Sequence, residues 1–405
     1  MKKVLLVVLI SILFGSMSLF AQLESQWRGE NRDGKYDNEK LLKKWPSKGP
    51  KLITTISNLG HGYSQPAVTD SRIFVTGMAD ETGYIYAFDL AGKQLWKKAY
   101  GKEWARSYPG ARVTPTVTKD KIYLVSGFGE VVCFDKKGKK LWSVDMIKKF
   151  NSPNIRWGIT ESPLVNGDVL YCTPGAKDAS VVLLNRHTGK TIKKIKINGQ
   201  TSTYCSPRII NHNGRKIVVT MLAKSLVGFD LKTNKVLFQA EHETRYDINP
   251  NTPLYHKGYI YSVSGYGTGG QLFKLNKNGT KLTKVWEDEE LDSQMGAAII
   301  VDGYIYGSGH KNRNWKCIDF KTGKMQYESR KLGRKGNIVF ADGMLYLYSE
   351  KGDVALVKPN PKKFEIVSSF RLKEGTGEHW AHPVIKKGKM YVRHGDDLNI
   401  YNIAR

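Results

Sequence analysis

The sequence predicts an all-β fold closed into a ring, an eight-bladed β-propeller of four-stranded antiparallel blades. Three observations predict it. A unit of about 45 residues recurs along the chain, a period typical of repeat architectures, with starts at Pro66, Pro115, Pro163, Pro207, Pro253, Ala298, Ile338 and Pro383. Each unit alternates short apolar runs with Gly and Asp/Asn punctuation, the pattern of strands joined by tight turns. The last unit supplies only three strands, through Leu398-Asn399-Ile400-Tyr401, while a spare apolar stretch, Lys51 to Ile56, precedes the first.

Taken in chain order, Met1-Lys2-Lys3, an apolar run from Val4 to Phe20 and then Ala21-Gln22 have the parts of a secretory signal peptide cut near Ala21. A membrane anchor is the competing reading, because the run is nearly long enough to span. Ser11, Gly15, Ser16 and Ser18 dilute it, and no basic stop-transfer cluster follows. The expected division is a signal peptide at 1–21, an N-terminal extension at 22–50 and the propeller at 51–405, with the mature protein periplasmic or secreted.

The second unit shows the repeat clearly. Thr114-Pro115-Thr116-Val117 starts it, Lys121 to Val125 and Val131 to Asp135 are strands, Gly138-Lys139 turns, and Leu141-Trp142 lies in the fourth strand. Asp89, Asp135, Asn185, Asp230, Asn276 and Asp319 recur before the last turn of their units, where a short polar side chain accepts hydrogen bonds from turn N–H groups. Trp96, Trp142 and Trp286 hold one repeat position, so they are expected to pack between blades rather than touch a cofactor. Pairing Lys51 to Ile56 with the last strands would close the ring and leave no open edge.

The chain carries 64 Lys and Arg against 37 Asp and Glu, a net charge of +27. Such a field attracts acidic polysaccharide, lipid head groups or an acidic partner. No nucleic-acid recognition motif appears, and the basic residues are scattered through turns such as Lys136-Lys137-Gly138-Lys139-Lys140, as on an ordinary solvated surface. Four cysteines are present, without CxxC or metal-ligand spacing. Cys133 and Cys317 share a repeat position in distant blades and are not expected to meet, while a bond between Cys172 and Cys205, in neighbouring blades, stays open.

In a propeller the innermost strands line the channel, so residues just before each strand start gather at one mouth. They are His61, Tyr63, Tyr108, Arg112, Arg156, Trp157, Glu161, Tyr204, Arg245, Asp247, Asn249, Gln294, Lys335, Asn337, His379, Trp380 and His382. The ligand-binding candidates among them are Arg112, Trp157, Glu161, Tyr204, Asp247, Asn249, Trp380 and His382, because stacking surfaces beside charges suit a glycan, a peptide or a quinone. Glu161 beside an arginine could equally be a structural ion pair, and His379 with His382 at a strand entrance lack further ligands for a metal.

The units resemble those of the pyrroloquinoline-quinone (PQQ) repeat proteins over essentially the whole mature chain. Gln26-Trp27-Arg28-Gly29-Glu30-Asn31-Arg32-Asp33-Gly34, Arg156-Trp157-Gly158-Ile159-Thr160-Glu161-Ser162-Pro163 and Ser264-Gly265-Tyr266-Gly267-Thr268-Gly269-Gly270 are similar to an exported, non-dehydrogenase branch of that family. The resemblance implies the propeller but not one activity, since the fold hosts quinoprotein dehydrogenases and non-catalytic members alike. The dehydrogenases hold PQQ with a calcium ion bound by Glu, Asn and Asp from successive blades, and cover it with a disulfide of adjacent cysteines. Here no cysteines are adjacent, and between Glu161 and Asp247 the intervening blade offers Thr203, Tyr204 and Ser206 instead of Asn. The non-catalytic members include a propeller lipoprotein that assists outer-membrane protein assembly, from which this chain departs in having no cysteine near the expected cut. The expectation is a monomeric, non-catalytic scaffold without a cofactor, binding a protein, peptide or glycan at the funnel mouth, with anionic surfaces as further partners. A PQQ- and calcium-dependent alcohol or sugar dehydrogenase is the alternative.

Overall fold

The computed structural model describes residues 23–37, 40–197, 200–295 and 298–405, so the expected signal peptide lies outside the described residues. Eight antiparallel four-stranded blades follow one another around a central channel, as the repeat predicts. The first is built from Ala67–Val68, Arg72–Ala79, Thr82–Asp89 and Gln94–Lys102, innermost strand first, and the next six repeat that order. The eighth takes three strands from the C-terminus, Val384–Lys386, Lys389–His394 and Asp397–Asn402, and its fourth from Lys51–Ile56, with Lys51 opposite Asn402 and Ile56 opposite Leu398. Among the described residues no helix is long and apolar enough to cross a membrane.

The core is not one mass but eight seams. Buried apolar residues form eight clusters, each shared by two adjacent blades, such as Phe74 and Tyr100 of the first with Ile122 and Phe134 of the second. The repeated tryptophans sit over these seams. Trp142 Nε1 donates to the Arg186 carbonyl at 3.1 Å and Trp286 Nε1 to that of Phe320 at 3.0 Å, each in the turn of the following blade. The turn glycine beneath is required. Gly138 has φ +87°, and a Cβ there would lie 2.8 Å from the Trp96 ring. All four cysteines are free and buried, so Cys172 and Cys205 do not pair.

The N-terminal extension enters the channel from the mouth opposite the strand starts. Leu23–Ser25 adds a fifth strand to the innermost strand of the second blade, and Lys35–Tyr36 pairs parallel with that of the seventh. Between them two arginines reach the interior. Arg32, 1% exposed, donates to the carbonyls of Ser162, Pro207 and Pro163 and to Gln26 Oε1, each at 2.8 Å. Arg28 donates to the Ala298 carbonyl at 2.9 Å. Burial pushes Arg32 down to about 9 and Arg28 to about 10, still far enough above neutrality that both stay charged. The extension therefore plugs one end of the channel and ties together blades far apart in sequence.

Candidate functional site

Above the plug the channel opens as a funnel in two tiers. The inner tier is a chamber of about 220 Å³ whose wall combines aromatic rings from Tyr63, Trp157, Tyr204, Tyr266 and Trp380 with Arg112 and His382. Trp27 of the extension also lines it, packed edge-on against His382 with ring centroids 4.7 Å apart. The outer tier, about 500 Å³, shares Tyr108, Trp157, Tyr266, Gln294 and Trp380 with the inner one and adds Arg156, His310, Arg313, Arg334, Lys335, Glu350 and Glu378.

Local backbone geometry sets these side chains. Gly158, at φ +76°, allows the loop carrying Trp157 to pass within 3.0 Å of Gly127, whose carbonyl accepts from Ile159 N–H, and a Cβ at Gly158 would come 2.8 Å from that same oxygen. Trp157 is then held at both ends, by its ring N–H on Ser107 Oγ at 3.0 Å and by its backbone N–H on Tyr204 Oη at 3.3 Å. Arg112 donates to the carbonyls of Tyr108, Gly110 and Trp157 and lies over the Tyr63 ring at 5.7 Å. Its own burial lowers its pKa, while buried Glu103 pulls the other way. Glu103, itself pushed up to about 7 by burial, accepts from the Tyr100 hydroxyl and, at 3.1 Å, from Gly127 N–H.

His382 donates from Nε2 to the Met295 carbonyl at 2.8 Å, which leaves Nδ1 as the acceptor nitrogen of a neutral ring. Burial, with Arg28 nearby, holds its pKa well below the usual histidine range, so it brings no charge. His310 in the outer tier is likewise held down to about 4 by burial and by Lys335. Lys335 is paired with Glu350 at 3.4 Å. Arg156 lies over the Trp157 and Tyr246 rings at 5.2 and 5.0 Å, and neither Arg313 nor Arg334 has a hydrogen-bond or ion-pair partner among the described residues. With Lys335 and Glu350 paired to each other, the outer tier carries three guanidinium groups without an ion-pair partner among the described residues, against the one unpaired carboxylate of Glu378.

Of the candidates read from the sequence, the structure brings Arg112, Trp157, Tyr204, Trp380 and His382 together around the inner chamber. It places Glu161, Asp247 and Asn249 elsewhere. Glu161 is fully buried with its carboxylate on the Thr173 hydroxyl and, at 2.8 Å, on Thr173 N–H; burial pushes it up to about 7, against the pull of Arg32. Asn249 is a structural clamp, its amide donating to the carbonyls of Leu222 and Ala223 at 3.0 and 2.9 Å and its oxygen accepting from Ser264 Oγ at 2.6 Å. Asp247 is exposed in a short turn and does not line the chamber. His379 stacks on His394 at 3.7 Å, behind the funnel wall.

Sequence reasoning passed over Trp27, Tyr266, Arg313 and Arg334 as site residues. Tyr266 has φ +62° inside the run Gly265-Tyr266-Gly267, and that backbone signal, a bulky residue between glycines in a loop, could have marked it.

Among solved structures, BamB from Moraxella catarrhalis is similar with 13% identity and a TM-score of 0.64, covering 87% of this chain and 99% of its own. A europium-containing methanol dehydrogenase is similar with 15% identity and a TM-score of 0.66, covering 92% of this chain and 90% of its own. The quinohemoprotein alcohol dehydrogenase from Comamonas testosteroni matches with 11% identity and a TM-score of 0.63, covering 88% of this chain and 77% of its own. At such identities these likenesses concern the fold alone. No curated protein sequence matches the chain. A family model does, over residues 40–149 and 81–329, and with this match spanning most of the propeller the chain belongs to the PQQ-like propeller family described as outer membrane protein assembly factor BamB.

Proposed function

We propose that this chain is an exported, non-catalytic binding propeller whose ligand or partner is held in the two-tier funnel. The observation that carries the reading is the combination of an aromatic-walled inner chamber with unpaired arginines at its entrance. Rings offer stacking area at little conformational cost, and guanidinium groups offer charge-assisted hydrogen bonds in a partly dry cavity. Export is supported by the charged and apolar character of residues 1–21 and by membership of a family described by an outer-membrane assembly factor.

The dehydrogenase alternative would need carboxylates converging on a calcium ion beside PQQ. The residues present fit that group poorly. No Asp or Glu lines the inner chamber among the described residues, Glu161 is committed to Thr173, and Asp247 lies apart in its turn. The mature protein supplied with PQQ, calcium and an artificial electron acceptor should not oxidise simple alcohols or sugars. Turnover above a control without PQQ, abolished by Glu161→Gln or Asp247→Asn, would overturn the binding reading.

The positive test is affinity. Once a bound molecule has been captured by pull-down, Trp157→Ala or Arg112→Ala should weaken it by about 1–3 kcal/mol, the loss of a stacking surface or of an ionised hydrogen-bond partner. Charge reversal of Lys137 and Lys140, in an outer turn, should change little beyond salt dependence. The opposite ranking would make the basic rim the working surface and the funnel a hydrated channel.

A further inference from the structure

We infer that the funnel takes an acidic oligosaccharide, a short chain of sugar rings bearing carboxylates or sulfates, with one ring in the inner chamber and its charged neighbours in the outer tier. The inference rests on the funnel being the binding site.

Shape argues first. The two tiers are continuous through five shared residues, so an occupant that uses both is elongated. Neighbouring rings in the wall are tilted by nearly 50°, at 47° for Tyr63 and Trp380, 49° for Tyr108 and Trp380, and 48° for Trp157 and Tyr204. Such a faceted bowl gives no pair of adjacent parallel walls for a flat aromatic molecule. It does suit puckered rings, which present C–H faces at several angles. Tyr108 and Tyr246, 51% and 46% exposed, extend the same kind of surface out to the rim.

Chemistry argues next. Much of the wall's polarity is spent locally: Thr160 Oγ1 donates to the Tyr204 carbonyl at 3.1 Å, Ser206 Oγ accepts from Ser162 N–H at 2.9 Å, and Gln294 Nε2 donates to Tyr266 Oη at 2.8 Å, while Trp27 Nε1, Trp380 Nε1 and His382 Nδ1 are left without a hydrogen-bond partner among the described residues. A peptide would bring main-chain amides into the chamber and find few free partners there, a cost of the kind paid by any desolvated polar group. A sugar ring can set its C–H face on an aromatic side chain while its hydroxyls stay hydrated at the open outer tier. Arg156, between Trp157 and Tyr246, and the unpaired Arg313 and Arg334 then meet the anionic groups, alternating charge with ring as an acidic glycan does.

The experiment is calorimetric titration of the full mature chain with four probes: tetragalacturonic acid, the neutral cellotetraose, a tetraglutamate peptide, and naphthalene-2,6-dicarboxylate as a flat aromatic dianion. The tetragalacturonate should bind best, and more weakly as salt rises. The Arg313→Ala, Arg334→Ala double variant should lose about tenfold in affinity, each exposed ion pair contributing a few-fold. Trp157→Ala should lose a similar factor, and the Lys137→Glu, Lys140→Glu variant should bind as the parent does. Equal binding of cellotetraose, or tighter binding of the peptide or of the aromatic dianion through these same residues, overturns the glycan inference and leaves the funnel as the site. Tetragalacturonate binding that survives the funnel substitutions and falls with the outer-turn reversal overturns the funnel reading itself. Absence of binding by tetragalacturonate overturns the glycan inference.

Discussion

Replacing Arg32 by alanine should loosen the plug and the ring together. Its guanidinium makes four hydrogen bonds of 2.8 Å, three of them to carbonyls at the inner-strand starts of the third and fourth blades. Truncation strips that partner from the buried Ser162 and Pro207 carbonyls, while that of Pro163 keeps the Thr116 hydroxyl at 2.7 Å, and each unsatisfied buried polar group costs about 1–3 kcal/mol. Part of the loss is offset, because the folded state no longer has to desolvate a full charge. Glu161, for which Arg32 is the compensating cation, loses that compensation as well. The net expectation is a destabilisation of about 3–5 kcal/mol, the range for breaking a buried ionic arrangement from one side. Arg32→Lys should lose less, since it keeps the charge but not the planar fork that spans several acceptors. The assay is hydrogen exchange followed by mass spectrometry alongside denaturant unfolding, because a chain of this size need not unfold in one step. Residues 23–37 should lose protection first, then the segments around Ser162 and Pro207. A midpoint shift equivalent to under about 0.5 kcal/mol, the spread of ordinary surface substitutions, with unchanged protection of the extension would refute the reasoning.

Other predictions follow from buried groups and tight turns. Glu103 and Glu161 are both held at about 7 by burial, against 4.5 in the open chain, so the folded state keeps protons that the unfolded state releases. Stability should therefore fall as pH rises from about 4.5 to about 7 and level off above, by up to about 3 kcal/mol per group, and Glu161→Gln should flatten its share of that slope. Denaturation midpoints measured at pH 5 and pH 8 for both proteins check this. Gly138→Ala, which drives a Cβ to 2.8 Å from the Trp96 ring, should cost about 2–3 kcal/mol, whereas Gly167→Ala, at φ +56° with nothing within 4 Å, should cost only its backbone strain, about 1 kcal/mol. Equal losses would mean that the Trp96 seam yields. The four buried thiols should react with an aromatic disulfide reagent only as the blades open, because burial shields them in the folded state and there raises Cys205 to about 12, suppressing its reactive thiolate. Immediate reaction of native protein would contradict the seams as described.

The ring was readable because its signal is repeated eight times, so that one irregular start, such as Ile338 in place of proline, is corrected by its neighbours. The strand at Lys51–Ile56 could be assigned to the last blade because a blade short of one strand leaves an open edge. The site was only half readable. Position before a strand start places a residue near the axis, yet adjacent residues of an extended segment face opposite ways. Thr160 and Pro250 line the chamber while Glu161 and Asn249, one step along, turn into the blades. That parity depends on loop geometry which no periodic pattern encodes. Trp27 was invisible for another reason: its neighbours His382 and Met295 lie hundreds of residues away, and only threading of the extension into the channel brings them together.

The way the ring is sealed also imposes an order in time. The strand at Lys51–Ile56 has no partner until Asn402 has been made, and Lys40 and Leu41 are fastened by Arg405 and Ala404. A strand made long before its partner is therefore among the last to find its place. A chain cut short by even a dozen residues loses the strand Asp397–Asn402, leaving the N-terminal strand with nothing to pair against and the eighth blade with raw edges on both sides. The latch thus makes closure wait on the strand Asp397–Asn402: a chain that has it can shut, and one without it stays open to proteases.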